Sequence, residues 1–480
     1  MHADTLKKGM DLSRSDAKKH ENLFFVLALI FGLLLIFLEP PFVVPDEYTH
    51  YLNICRVSRG GIFADVENGV VGNRVAVGEI ELHLQFSGKY AGNDQTIDAH
   101  TLVENLKGDS DQNVAFYAMS DAQLNPTPYL IPAFVIAVFR FFVGSISAYH
   151  VYLLAKLTNL LVFAAIVRWA LLKTRALRKT MFLLALMPMT LFQAASASYD
   201  ACLIAGSFLL FAYLTKILLS DESYRICRED VLGICLASIF VIGVKVAYAP
   251  LILVLLSIPF SKFGRWKRYL GCIAAVIGIG VAFYVIPTAV NRAIVHECKV
   301  VLTDVQIAHA NYVRENPIVI PKMMVHTVAY FLPYWMESFF GILGWLDVYF
   351  PRPLVVLFWV SLMAVVLSEA CSIRDIRCKT KLLSWAGITV FVLGTIYTMY
   401  TAWTPVLMGT VGGTLAHGGQ GRYFIPIALF VFLLLANSCL LRFRDETRTK
   451  INGISEKTML CTSVLYLILT VALVFTRYWV

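Results

Sequence analysis

The chain has 480 residues, 58% of them hydrophobic and only 15% charged, with a mean hydropathy of +0.69. Soluble domains carry roughly 25% charge, so the composition excludes a soluble enzyme and describes an all-α polytopic membrane protein. The net charge of +9 does not indicate a nucleic-acid partner, because Lys and Arg stand in short clusters between apolar runs, the positive-inside pattern.

Apolar runs of about 20 residues match a bilayer core of about 30 Å at helical rise. The tail 1–21, with Lys7, Lys8, Arg14, Lys18 and Lys19, is assigned to the cytoplasm. Span one is Leu23–Leu38; Glu39-Pro40-Pro41 follows with no small-residue cleavage site, so it reads as an uncleaved span. A large polar loop runs from Pro41 to about Asn125, with short interfacial helices expected in it. Pro128–Val143 contains Arg140 and is short; it is read as re-entrant or interfacial, which extends the external region over 41–150 and keeps Lys173, Arg175, Arg178 and Lys179 inside.

Spans two to four are Val151–Leu172, Met181–Ala197 and Ala201–Leu219. Val231–Phe260 has Lys245 as its single charge and is split there into spans five and six. Span seven is Tyr269–Val285, followed by a second external segment, 287–353. Spans eight to eleven are Leu354–Ala370, Leu382–Tyr400, Phe424–Leu441 and Leu460–Phe475. The total is about 11 transmembrane helices (about 10 to 13); region 22–441 forms the main membrane domain and 442–480 a cytoplasmic loop plus the last helix. Basic clusters including Arg374, Arg377, Arg442 and Arg444 all fall on one side. Only Cys55 and Cys298 lie in external segments, which leaves a disulfide between them open. No Cys/His cluster has zinc spacing.

This topology gathers Asp46, Glu47, His50, Asp200, Lys245, Trp345, Asp347, Gln420 and Arg422 at the outer rim. Each has a plain structural reading. Pro45-Asp46-Glu47 is a good helix start, and a helix from Pro45 would put Asp46, His50 and Asn53 on one face. His50 reads as an interfacial histidine, Asp200 as a cap of span four, Arg422 as a snorkelling side chain, Trp345 as part of an aromatic belt and Asp347 as a turn acid. Lys245 is hardest to explain this way, since an isolated charge in an apolar stretch needs an anion or a route to the interface. Together, a carboxylate that takes a proton from a hydroxyl and Lys and Arg that neutralise a phosphate suit displacement of a phosphate leaving group by an alcohol.

The same residues resemble the C-type fold of integral-membrane glycosyltransferases (GT-C). The carriers of the resemblance are Asp46-Glu47 after span one, Asn125-Pro126-Thr127-Pro128-Tyr129, Ser196-Ala197-Ser198-Tyr199-Asp200, Lys245 with Pro250, and Gly421-Arg422-Tyr423. Pro45-Asp46-Glu47, Gly344-Trp345-Leu346-Asp347 and Gln420-Gly421-Arg422-Tyr423 also resemble a family of bacterial predicted membrane proteins of unassigned function. Departures are the spacing Lys245-Val246-Ala247-Tyr248-Ala249-Pro250 and the lack of a large soluble domain after the last span.

The resemblance implies a glycosyltransferase of the bacterial cytoplasmic (inner) membrane, active on the extracytoplasmic side, moving a sugar from a polyprenyl-phosphate donor to a cell-envelope glycan or lipid-linked acceptor. It implies Asp46 and Glu47 as catalytic residues and Lys245 and Arg422 as donor-phosphate ligands. His50, Asp200, Tyr248, Trp345, Asp347, Gln420 and Tyr423 are implied substrate contacts. No cofactor is expected, with a divalent cation such as Mg or Mn as the alternative for Asp200. The rival function class is a transporter or flippase of a lipid-linked or anionic substrate, for which ionisable groups near the midplane and paired repeats are expected.

Overall fold

The computed structural model describes residues 2–108, 111–296, 298, 303–371, 373, 376–436 and 445–480, without the side chains of 2–19 and 445–449. Arg374, Arg442, Arg444 and the end of predicted span ten lie outside the described residues.

Span one is the apolar part of α1 (His2–Leu38). A turn with Phe42 and Asp46 at positive φ, 62° and 67°, leads into α2 (Glu47–Ser58). The helix thus starts two residues later than Pro45 suggested. Left-handed Asp46 cannot be helical, and the expected common face is split: His50 and Asn53 are buried, Asp46 is exposed.

The first loop contains β1 (Asp65–Glu67), β2 (Val70–Ala76), α3 (Val77–Phe86), α4 (Ala99–Lys107) and β3 (Val114–Ala118). The strands form an antiparallel sheet in the order β1-β2-β3, with Arg74 opposite Phe116. The sheet is an addition to the expected helices, built on the β-branched Val70, Val71 and Val75. At 14 residues, α5 (Leu130–Val143) is too short to span. Its Arg140 joins Arg59 on the buried Glu79 carboxylate while Phe141 and Phe142 stay exposed.

Next come α6 (Ala148–Lys173), α7 (Arg178–Ala185), α8 (Pro188–Ala194), α9 (Asp200–Leu218) and α10 (Arg228–Ser238). After a π-turn at Ile239–Gly243 and a 3₁₀ run, Val246–Ser257, follow α11 (Trp266–Gly280) and α12 (Ile286–Ile294). The second external segment is more helical than its sequence suggested. It holds α13 (Asp304–Glu315), α14 (Val319–Gly341) and a hairpin of β4 (Ile342–Leu343) and β5 (Val348–Tyr349). The last helices are α15 (Arg352–Ala370), α16 (Cys378–Thr398), α17 (Thr404–Met408), α18 (Ala428–Leu433) and α19 (Asp445–Trp479).

Among the described residues, seven helices, two of them continued through π-turns, are long and apolar enough to cross a membrane: His20–Leu38, Ala148–Lys173, Asp200–Leu218, Trp266–Ile294, Arg352–Ala370, Cys378–Met408 and Lys450–Trp479. They coincide with predicted spans one, two, four, seven, eight, nine and eleven. Spans three, five, six and ten fall on interrupted backbone. Pro188, with no N–H to donate, divides α7 from α8; Lys245 divides a π-turn from a 3₁₀ run; the 3₁₀ turn Gly421–Phe424 precedes the short α18. Irregular backbone inside an apolar body persists where it is buried in protein or lines a cavity.

The core centres on α6, packed between α1 and the almost wholly buried α9. Helix ends meet at two opposite rims. At one, Trp479 Nε1 donates to Leu38 O (2.8 Å), and the backbone after α8 is held from the middle of α6 by Asn159 Nδ2, which donates to Ser196 O (2.9 Å). At the other, Lys173 pairs with Glu229 (2.5 Å), the Lys179 N–H donates to Glu369 (3.0 Å), and His20 meets Glu456 (3.0 Å). The open disulfide is not formed: Cys55 and Cys298 are both free thiols, buried in separate apolar clusters.

Candidate functional site

Three of the four interrupted spans deliver polar groups to the first rim. Gln193 and Ser196-Ala197 come from the end of α8, Lys245 from the start of the 3₁₀ run, and Arg422 from the turn before α18. A Cβ on Gly421 would lie 2.1 Å from both Phe339 N and Trp335 O, so only glycine lets this turn press on α14. Its N–H donates to Ser338 Oγ (2.8 Å), which fixes the next residue, Arg422.

The guanidinium of Arg422 is 6% exposed and faces two acids. One terminal nitrogen lies 3.3 Å from Asp46 Oδ2 and the other 3.6 Å from Asp200 Oδ2. With the Gln193 amide oxygen toward Arg422 and its nitrogen toward Asp200, both bonds measure 3.3 Å. Asp200 is the first residue of α9 and makes no side-chain cap; its acid is used on Arg422 and Gln193 rather than on its own helix end. Lys245 joins through aromatic faces, its Nζ 4.5 Å from the Tyr423 ring centre and 5.7 Å from that of Tyr199. Tyr248 donates to Tyr423 O (2.8 Å) and stacks on Phe391, which steadies this wall.

Asp46 is the open member, with 60% of its side chain exposed against 12% for Asp200. Its left-handed backbone costs on the order of 1 kcal/mol for a non-glycine residue. The Glu47 N–H to Val44 O bond (3.1 Å) and the His50 N–H to Asp46 O bond (3.3 Å) hold the turn.

Glu47 points the other way. It is fully buried and accepts from the Ala197 N–H (2.8 Å), so it ties the first loop to the end of α8. Burial raises its carboxyl pKa. Nearby, Glu39 and Lys156 form a fully buried ion pair at 3.1 Å. His50 is buried too: Nδ1 meets Tyr129 OH at 2.9 Å and the ring packs against Tyr199 at 4.4 Å. Burial holds its pKa down at about 4, so the imidazole is neutral.

The structure therefore brings together Asp46, His50, Asp200, Lys245, Tyr248, Arg422 and Tyr423. Glu47, Gln420 and Trp345 stand beside them as supports: Gln420 caps the Arg422 turn through its carbonyl, and Trp345 Nε1 donates to Phe42 O (2.8 Å). Asp347 lies apart. It pairs with Arg477 (3.5 Å) and accepts from the Gly92 N–H (3.1 Å), away from Arg422.

Sequence reasoning passed over Gln193, although it carried a readable signal as the only amide in an apolar run. Tyr129 and Tyr199 were quoted within their motifs but given no role, since Tyr suits any membrane rim. Among the described residues no group of three His, Cys, Asp or Glu side chains is placed to hold a metal ion. Arg422 is what bridges the two acids.

Chemically, the cluster offers a phosphate two cations on a partly desolvated wall and leaves an exposed carboxylate beside them. No curated protein and no solved structure matches the chain. Residues 29–431 match the family described as "Predicted membrane protein (DUF2142)", and by that match over most of its length the chain belongs to this family.

Proposed function

We propose that the protein is a glycosyltransferase that moves a sugar from a polyprenyl-phosphate carrier to an extracytoplasmic glycan or lipid-linked acceptor. The observation that carries this reading is the Asp46–Arg422–Asp200 arrangement with Lys245 beside it: one exposed carboxylate next to two cations. Asp46 accepts the proton of the acceptor hydroxyl while the acceptor oxygen bonds to the anomeric carbon. The bond from that carbon to the phosphate oxygen breaks, and the electron pair leaves with the phosphate. Arg422 and Lys245 hold the developing charge, a stabilisation that grows toward the transition state.

In the structure Arg422 is engaged by Asp46 itself. An arriving phosphate competes for the guanidinium and releases Asp46, so base and donor site are set by one event. Asp200 and Gln193 remain on the other edge of the guanidinium and keep its plane fixed. Glu47 has no route to an acceptor in this arrangement; its part is to anchor the turn through Ala197.

The test is transfer from a synthetic undecaprenyl-phosphate sugar by purified Asp46→Asn protein in nanodiscs. A loss of transfer is expected, with lipid-phosphate binding as tight as wild type or tighter, since the competitor for Arg422 is gone. Transfer near the wild-type rate would end the role of Asp46 as base.

A further inference from the structure

From Glu39 to Ser58 every residue is buried except two, Asp46 and Tyr48. They stand two positions apart, at the N-cap and in the first turn of α2. The ring of Tyr48 lies flat on the imidazole of His83, with centres 4.6 Å apart and planes at 15°. His83 is held from behind: Nε2 meets Tyr117 OH at 3.0 Å, and Phe42 packs against it edge-on at 6.2 Å. Phe42 in turn is fixed by Trp345 through its carbonyl. The half-buried Tyr48 is thus a rigid aromatic plate with one face supported, next to the exposed carboxylate.

We propose that Tyr48, backed by His83 and flanked by Tyr117, is a sugar-binding subsite that seats the acceptor ring on the loop side of Asp46. A pre-ordered aromatic face suits the apolar C–H face of a saccharide, and little rotamer freedom is lost on binding because the ring is already stacked. The Tyr117 hydroxyl adds a polar tip within the same trio. Asp46, at the start of the helix that carries the plate, meets Arg422 at 3.3 Å, so the same short turn presents both the carboxylate and the aromatic ring. Assignment of the ring to the acceptor rests on the transferase reading; the sugar-binding plate itself does not. Trp345, the aromatic that sequence alone favoured for stacking, has its indole N–H committed to Phe42 and acts behind the plate.

Saturation-transfer NMR on the full chain in nanodiscs tests this, with methyl pyranosides of glucose, galactose, mannose and N-acetylglucosamine as probes. At least one glycoside should bind wild type and Tyr48→Phe alike, and bind Tyr48→Leu about tenfold more weakly. Leu keeps apolar cover over His83 but has no π face, and undecaprenyl-phosphate binding by the same sample reports that the site is folded. Equal binding by Tyr48→Leu, or no binding of any glycoside by wild type, overturns the proposal. Glycoside signal should persist when undecaprenyl phosphate is saturating; competitive loss would place the sugar on the donor side and overturn the acceptor assignment. Failure of Arg422→Gln to weaken lipid-phosphate binding would instead remove the transferase reading and leave the plate standing.

Discussion

Two late arginines each reach back across the chain to aspartates, and they do opposite things. Arg422 meets Asp46, 376 positions away, and Asp200; both acids are side chains, and one is open to water. Arg477 meets Asp347, but its two terminal nitrogens also donate to main-chain carbonyls of the first loop, those of Tyr90, Asn93 and Gln95. The neighbouring Ile97 N–H donates to Tyr478 O (2.6 Å), so this end of α19 is strapped to the loop. An arginine whose terminal nitrogens are held by main-chain carbonyls of a loop works as a clasp. An arginine held by side chains, one of them an exposed carboxylate, can exchange that carboxylate for a phosphate. Charge and depth alone do not separate the two; the identity of the acceptors does.

The same conservative change should therefore give opposite readouts in the two clusters. Arg422→Lys keeps a charge against Asp200 but loses the fork that can hold a phosphate and the second edge together. Transfer is expected to fall about 10²-fold, in the range for loss of one transition-state donor, with a small change in melting temperature. Wild-type transfer by this variant would make Arg422 a second clasp.

Acid should act next most strongly, and on the first cluster alone. The folded pKa of His50, about 4, lies below its unfolded value of 6.5. The unfolded chain therefore binds the proton first, and the stability from a neutral His50 is complete above about pH 6.5 and lost as pH falls toward 4. At about pH 5 the loss is about 2 kcal/mol. His50→Gln keeps a partner for Tyr129 and should flatten this part of the pH–melting curve. An unchanged curve would show that His50 is not what titrates. Among the hydrogen-bond partners of Arg477 there is no histidine, so the clasp should not respond in this window.

Hydropathy made the seven continuous helices legible because each is a full-length apolar run. It could not expose the interrupted spans, which are just as apolar; only Pro188 and Lys245 hinted that the helix fails there. The first-loop sheet was illegible because its strands are short, three to seven residues, and lie in an otherwise polar loop. The meeting of Asp46 with Arg422 was legible through sidedness, since helices of one bilayer length return distant residues to the same rim. Which of the adjacent carboxylates faces the site was not: Asp46 and Glu47 differ in aim because Asp46 adopts a left-handed backbone, which no pattern marked. Gly344-Trp345-Leu346-Asp347 has a second reading for a related reason. Gly344 sits at φ 62°, where a Cβ would come 2.3 Å from Asp347 Oδ1, so the motif marks a tight turn as well as it would a site.

Two smaller effects sharpen the clasp. Arg477→Lys gives up most of the parallel bonds to the loop carbonyls, and hydrogen bonds from a charged donor contribute about 1.5 kcal/mol or more. A loss of that order is expected, with faster proteolysis across residues 88–98 and a transfer rate within a few fold of wild type. Asp347→Asn should do less, about 0.5–1 kcal/mol. The amide oxygen still accepts from Gly92, Arg477 keeps its three carbonyls, and only the charge is gone. A thermal melt and the undecaprenyl-phosphate-sugar assay on the same preparation decide the matter. If Asp347→Asn melts like wild type yet loses transfer, Asp347 touches substrate as its motif first suggested, and the distinction between an open arginine and a strapped one fails where it is most easily measured.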